Sequence, residues 1–230
     1  LLFLFIQFQM EDTDNFKLQL FNLLHLLHPN STITIKALQW IVDFNIDLIY
    51  HILKSYAENH EIIGSIRIVI RGRLGELCIS EGTKAITLFN AEAKNNKETR
   101  NKMSRLTISI LLIENIIKEI APNFIFNNKF VIFLTGVIEY ISAEILDMIG
   151  FEKGKIVDII KLKHVRSIIS KNKELNDLST NINTEIYTLN IKNNSRFPPK
   201  KYHRENLNNN FIEVYNEFNA EHNYIDLNDD

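Results

Sequence analysis

The sequence predicts an all-α chain of two like halves paired within one molecule, and two features of the pattern predict it. First, apolar residues recur three, four or seven apart over two stretches, about Ile35 to His60 and Lys129 to Gly150. That spacing gathers them on one helix face. Second, a shorter amphipathic stretch precedes each long one and another follows it, so the pattern occurs twice. Composition allows such a core, because 45% of the 230 residues are hydrophobic. At roughly 100–200 residues per domain, the length admits one large unit or two small ones.

Taken in order, the first nine residues, LLFLFIQFQ, are apolar. They fall short of the roughly 20 needed to span a bilayer and lack the basic start and small-residue cleavage site of a secretory signal. Met10 opens an acidic stretch, so residues 1–9 are read as a non-native leader, with a hydrophobic anchor as the alternative. A short helix is expected over about Asn15–Leu27, and Pro29-Asn30-Ser31-Thr32 forms a turn with hydroxyl caps. The first long helix carries Leu38, Ile41, Val42, Leu48, Ile49, Ile52, Leu53 and Tyr56 on one face. At about 39 Å it is too long to be covered by its own flanking helices. A shorter segment follows at about Ser65–Arg71.

The second half repeats the plan with a helix over about Leu106–Ala121, a long helix over Lys129–Gly150 and a shorter one over Lys161–Ser170. Its stripe is Leu134, Val137, Ile138, Ile141, Ile145, Met148 and Ile149, and Gly150 is placed to end it. Two exposed stripes are buried if the long helices cross. The residues alone therefore lead to a helical pseudo-dimer in one chain.

The motifs go further. "LLHLLHPNSTITIKAL" followed by "GELCISEGTKAIT" resembles histone 2B, and "GVIEYISAEILDMIG" followed by "KHVRSIISKNKELNDL" resembles histone 2A. The resemblance covers about Phe16–Ala91 and Leu106–Leu178. A 2B–2A fusion is similar to the histone doublets of large DNA viruses of amoebae. It implies two histone folds interlocked in an intramolecular handshake, over residues 10–93 and 106–178, joined by a basic linker at 94–105. Fusion replaces a bimolecular pairing step with a high effective concentration. Residues 179–230 read as an Asn-rich, mostly mobile tail with an acidic end. Short docking segments are expected in it around Tyr187–Leu189 and Phe211–Phe218.

The resemblance implies a DNA-binding structural component of nucleosome-like particles, assembling with a histone 3–4 type doublet or tetramer. Histones grip double-stranded DNA through phosphates and minor-groove arginines without base readout. The candidate bases near loops or helix starts are Lys36, Arg67, Arg71, Arg73, Lys84, Lys118, Lys129, Lys155, Lys161, Lys163 and Arg166. For any one of them the alternative is a solvated surface side chain. Glu76, Glu81, Glu139, Glu144, Asp147 and Glu174 match the family's acidic patch, which receives basic peptides. Their alternative is helix solvation or capping. The implied setting is a virion, a viral factory or a host nucleus.

Departures from the family matter as much. The long basic tails are missing, and the 2B-like half is shorter before the GEL motif by roughly two helical turns of chain. Asn172 and Lys173 replace two acids of the patch, and Ile159 stands where a base is expected. The net charge is −2, from 26 Lys+Arg and 28 Asp+Glu. Residues 1–178 hold +1 of it and residues 179–230 hold −3. Fewer phosphate contacts predict looser or shorter wrapping. The other reading is a scaffold or chaperone-like protein that binds histones without wrapping DNA. A third, weaker one is an acidic tail that mimics DNA.

The sequence holds no phosphate loop, nucleophile elbow or zincin helix. The single cysteine, Cys78, and seven histidines lack metal-ligand spacing. The expectation is a protein that is not an enzyme, with no cofactor and no metal. No further apolar run reaches about 18 residues without charge, so no membrane partner is expected.

Overall fold

The computed structural model describes the backbone of residues 2–92, 100–152 and 154–191, and side chains over 12–91, 100–151 and 154–182. Within these the chain is predominantly helical, and its order begins α1 (Leu2–Leu27), β1 (Thr32–Ile33), α2 (Ile35–Asn59), α3 (Ile62–Val69) and α4 (Gly72–Glu92). It continues through α5 (Arg100–Ser104), α6 (Ile110–Ile120) and α7 (Asn128–Gly150). The last elements are β2 (Phe151–Glu152), β3 (Lys155–Ile156), β4 (Ile159–Ile160), α8 (Leu162–Lys171) and α9 (Lys173–Ile191).

Local chemistry fixes these boundaries. The Thr34 hydroxyl accepts the Ala37 N–H at 3.4 Å and starts α2, so the cap lies two residues beyond the expected turn. His60, at φ 56, ends α2 in the left-handed region. The Glu61 carboxylate accepts the N–H groups of Ile63 and Gly64, which starts α3 three residues before the expected Ser65. Asn127 caps α7 through the Phe130 N–H at 3.0 Å, and Asn172 caps α9 through the Leu175 N–H at 3.0 Å.

Three segments differ from the sequence expectation. Helix α1 extends back to Leu2, so the backbone of the expected leader continues it; the leader's side chains lie outside the described residues. Helix α6 begins at Ile110 rather than Leu106, because the Glu139 carboxylate takes the Thr107 and Ile108 N–H groups and Ser109 provides the cap. Helix α9 crosses the expected tail boundary at 178, since Leu175, Leu178 and Ile182 form a buried stripe at helical spacing. The segment around Tyr187–Leu189 lies in α9, whereas Phe211–Phe218 is outside the described residues.

The core lies where α2 and α7 meet. Leu38, Ile41, Val42, Leu48, Ile49 and Ile52 on α2 are fully buried, as are Leu134, Val137, Ile138, Ile141, Ile145 and Ile149 on α7. Each such side chain contributes about 1.5–3 kcal/mol on leaving water. One polar contact crosses between the two helices near their middles: the Asn45 side-chain amide donates to the Ser142 hydroxyl at 3.0 Å. Helix α4 makes the most extensive contact with α7. Two glycines face each other there. A Cβ on Gly136 would stand 3.1 Å from the Gly82 Cα, and one on Gly82 would stand 2.9 Å from the Phe133 ring and carbonyl.

The two ends of the α2–α7 pair are built differently. At one end β1 pairs in parallel with β4, Thr32 with Ile159 and Ile33 with Ile160. The Thr32 N–H donates to the Asp158 carbonyl at 2.8 Å and the Thr34 N–H to the Ile160 carbonyl at 2.9 Å. The first loop of the first half thereby joins the second loop of the second half. At the other end only His60 and Glu61 separate α2 from α3, leaving no strand to pair. The facing loop, residues 121–127, packs by its rings instead. Tyr56 meets Phe124 at 5.6 Å and Phe130 at 4.8 Å between ring centroids, both edge-on.

Candidate nucleic-acid interface

The β1–β4 pairing sets the N-termini of α2 and α8 side by side. Lys36 is the second residue of α2, Lys161 precedes α8 and Lys163 is its second residue. Three of the expected bases therefore lie at the starts of the two helices that follow the paired strands. Free backbone N–H groups and positive dipole ends favour an anion at such a place. Arg166 follows Lys163 by three residues, on the same exposed side of α8. Lys155 is exposed on the β2–β3 hairpin just before β4, whose turn uses Gly154 at φ 78.

The remaining bases are dispersed. Arg67 on α3 forms a two-nitrogen bond to Glu76, Nε to Oε1 at 2.9 Å and Nη2 to Oε2 at 3.3 Å. The pair raises the Arg67 pKa and lowers that of Glu76, so an expected DNA contact and an expected patch acid are held by each other. Lys84 pairs with Glu81 at 3.0 Å, and Lys118 with Glu114 at 3.0 Å. Lys118 also sits in the last turn of α6, at the wrong end of the dipole for phosphate. Lys129 is exposed at the start of α7 and Arg71 at the α3–α4 corner. Arg73 departs most from expectation: it stands on the rim of a cleft bearing Glu144 and Glu174.

That cleft, of about 400 Å³, is where part of the expected acidic patch comes together. Leu74 and Leu77 of α4, Tyr140 and Glu144 of α7, and Glu174 and Leu175 of α9 line it. Glu174 is committed to the fold, because its two oxygens accept the N–H groups of Arg73 at 2.7 Å and Leu74 at 3.2 Å and so cap α4. Among the described residues Glu144 accepts a long bond from the Tyr140 hydroxyl, at 3.4 Å. Burial and the Glu144 carboxylate push the Tyr140 pKa up to about 12. The other patch candidates are occupied elsewhere. Glu139 is mostly buried, which raises its pKa, and it holds the Thr107 and Ile108 N–H groups at 2.7 Å each. Asp147 stands 3.1 Å from the His28 ring, which lies where a Cβ of Gly150 would be.

Charge alone could not reveal that Glu139 and Glu174 serve as caps, nor that Tyr140 and Leu77 complete the cleft. The linker base Arg100, a possible further DNA contact by sequence, donates instead to the Glu114 carboxylate at 2.8 Å and to the Asn128 side-chain oxygen at 3.0 Å, fastening α5 to α6 and α7. Cys78 is buried and its thiol pKa is pushed up by that burial, which disfavours a reactive thiolate. Among the described residues no group of three or more His, Cys, Asp or Glu is placed to hold a metal. No described helix is long and apolar enough to cross a membrane. No protein-family model matches the chain.

Proposed function

We propose that the chain is a histone doublet, a 2B-like and a 2A-like histone fold locked in an intramolecular handshake. In this reading it packages double-stranded DNA together with a histone 3–4 type partner. The observation that most supports it is the parallel pairing of Thr32–Ile33 with Ile159–Ile160, beside the Asn45–Ser142 contact between the long helices. Two like halves that exchange a first loop for a second loop are what an interlocked pair requires. In this reading Lys36, Lys161 and Lys163, at the starts of α2 and α8, supply a sequence-independent phosphate grip. The role is structural and not enzymatic. Its setting is a virion, a viral factory or a host nucleus, and basic peptides dock on the acidic face.

One observation favours the second reading, a histone-binding scaffold that wraps no DNA. Arg67, Lys84 and Lys118 are each paired with a carboxylate, which leaves fewer cations for phosphate. Reconstitution separates the two. The protein, a histone 3–4 partner and DNA are mixed and digested with nuclease. Packaging yields a discrete protected particle, shorter than the roughly 147 base pairs of a cellular octamer. A stable protein complex that leaves DNA unprotected supports the scaffold, and full cellular protection refutes the looser wrapping.

A further inference from the structure

Four large apolar side chains are exposed around one contact at the β1–β4 end. Leu26 is 69% and Leu27 37% exposed in the last turn of α1. Phe151 and Ile156, cross-strand partners on the β2–β3 hairpin, are 55% and 54% exposed. Leu27 directly precedes His28 and Phe151 directly follows Gly150, and the His28 ring fills the space beside Gly150. The His28 Nε2 also lies 3.1 Å from the Asp147 carboxylate, so the end of α1 and the base of the hairpin are held together. Apolar side chains gathered in this way on a surface mark a contact for another segment.

Charge selects the occupant. Residues 151–166 hold five bases and two acids; Lys36 adds a base and Asp147 an acid, which leaves this end at +3. The opposite end of the α2–α7 pair also exposes an apolar side chain, Ile125. There, however, residues 54–61 and 114–129 hold three bases and four acids, and Arg100 on Glu114 brings that end to neutrality. The C-terminal end of the chain complements the first of these surfaces. From Glu205 onward it carries seven acids and no Lys or Arg. Phe211, Val214, Tyr215 and Phe218 fall at the spacing of one helix face, with Glu213, Glu217 and Glu221 in a row four apart beside them. Chain length permits the contact, because the stretch from Ile191 to Phe211 spans up to about 66–72 Å when extended. The apolar start of α1 cannot cover the patch in the same chain, since about 36 Å of its own helix separates the two.

We propose that residues 205–230 dock on the β1–β4 end of their own chain and shield it. The Phe211–Phe218 stripe covers Leu26, Leu27, Phe151 and Ile156, and the carboxylates beside it face the bases of residues 151–166. Tethering supplies a local concentration in the millimolar range, so a modest contact suffices for occupancy. The docking is independent of the packaging reading; only its consequence, that DNA displaces the segment to reach Lys161 and Lys163, rests on that reading. The segment thus acts as a cover in cis, weakened by salt, rather than as a lure for other histones.

The test uses the full chain with a nitroxide on Asn216→Cys, a position off the apolar stripe, where the buried Cys78 thiol leaves one reactive site. Amide signals of Leu27, His28, Phe151 and Ile156 are expected to lose more than half their intensity. The loss should disappear in Phe211→Asn/Tyr215→Asn/Phe218→Asn, which keeps every charge, and in Phe151→Ser/Ile156→Ser, which changes exposed side chains only. Unchanged signals, a loss that survives both variants, or broadening at Phe124 and Ile125 instead overturns the proposal. So does broadening of an isotope-labelled chain by a spin-labelled second copy, which would make the occupant another molecule. Duplex affinity reads the consequence. With the docked state about nine-tenths populated, the open tenth sets the apparent affinity, so the triple Asn variant binds a short duplex about tenfold tighter than wild type at low salt and equally at high salt. Equal affinity at every salt concentration overturns the shielding. If neither chain binds duplex, the packaging reading fails while the nitroxide result still decides the docking.

Discussion

Removing Lys36, Lys161 and Lys163 together tests whether the paired helix starts hold phosphate. These three side chains sit where the β1–β4 ladder brings the N-termini of α2 and α8 together. Each phosphate neutralised on duplex DNA contributes about 0.9 to the dependence of log affinity on log salt. If all three engage phosphate, the triple alanine variant lowers that slope by about 2.7. Over a fourfold change in salt, the ratio of wild-type to variant affinity then changes by about 40-fold. Fluorescence anisotropy with a short duplex across a salt series reads the slope directly. Lys84→Ala/Lys118→Ala is the comparison. Those ammoniums already neutralise Glu81 and Glu114, so the double variant should shift the slope by less than about one contact. The reasoning is refuted if the triple variant keeps the wild-type slope, or if the double variant moves it as far.

The other predictions concern the frame that holds this site. Gly82→Ala should destabilise by up to about 2 kcal/mol in urea titration: overpacking against Phe133 costs about 1–3 kcal/mol, and the gain in helix propensity returns only about 1. A more stable variant would show that α4 and α7 are not in close contact there. Glu174→Ala should cost about 1 kcal/mol and speed amide exchange at Arg73 and Leu74, the two donors it caps. Asp47 provides a pH test. Burial, and then the nearby Asp43 carboxylate, raise its pKa from 3.8 to about 7. The folded state thus holds a proton that the unfolded state has lost, and this destabilising effect grows from about pH 4 to pH 7 and then levels off. Asp47→Asn should leave stability near pH 3 unchanged and raise it at pH 8 by up to about 4 kcal/mol; equal gains at both pH values would contradict the assignment.

The long helices were legible because their buried faces repeat at the helical period, and nearly every residue of both expected stripes is in the core. Helix α9 was not, since its Asn-rich composition resembles a tail and its stripe is only Leu175, Leu178 and Ile182. The acids show a different limit. Glu139 and Glu174 look like patch residues in sequence, but their bonding partners lie 31 and 101 residues away. A one-dimensional reading gives the sign of a side chain but not what it is already bound to. The same holds for Arg67 and Glu76, nine residues apart, which satisfy each other.

The two ends of the α2–α7 pair bear on the charge balance of −2. One end pairs its loops by backbone and gathers cations at helix starts. The other has no strand between α2 and α3, closes with Tyr56, Phe124 and Phe130, and leaves Ile125 93% exposed. Lys118 beside it is held by Glu114. Phosphate is not attracted to exposed isoleucine, so the scarce positive charge is not spread evenly over the molecule. In the packaging reading, DNA would be gripped at the β1–β4 end and released first at the aromatic end. Shortened wrapping would then come from one weak end of each doublet, and partial nuclease digestion should show a stable inner fragment with stepwise loss of the outer DNA. Uniform fraying, with no such intermediate, would point instead to a grip weakened throughout by low net charge.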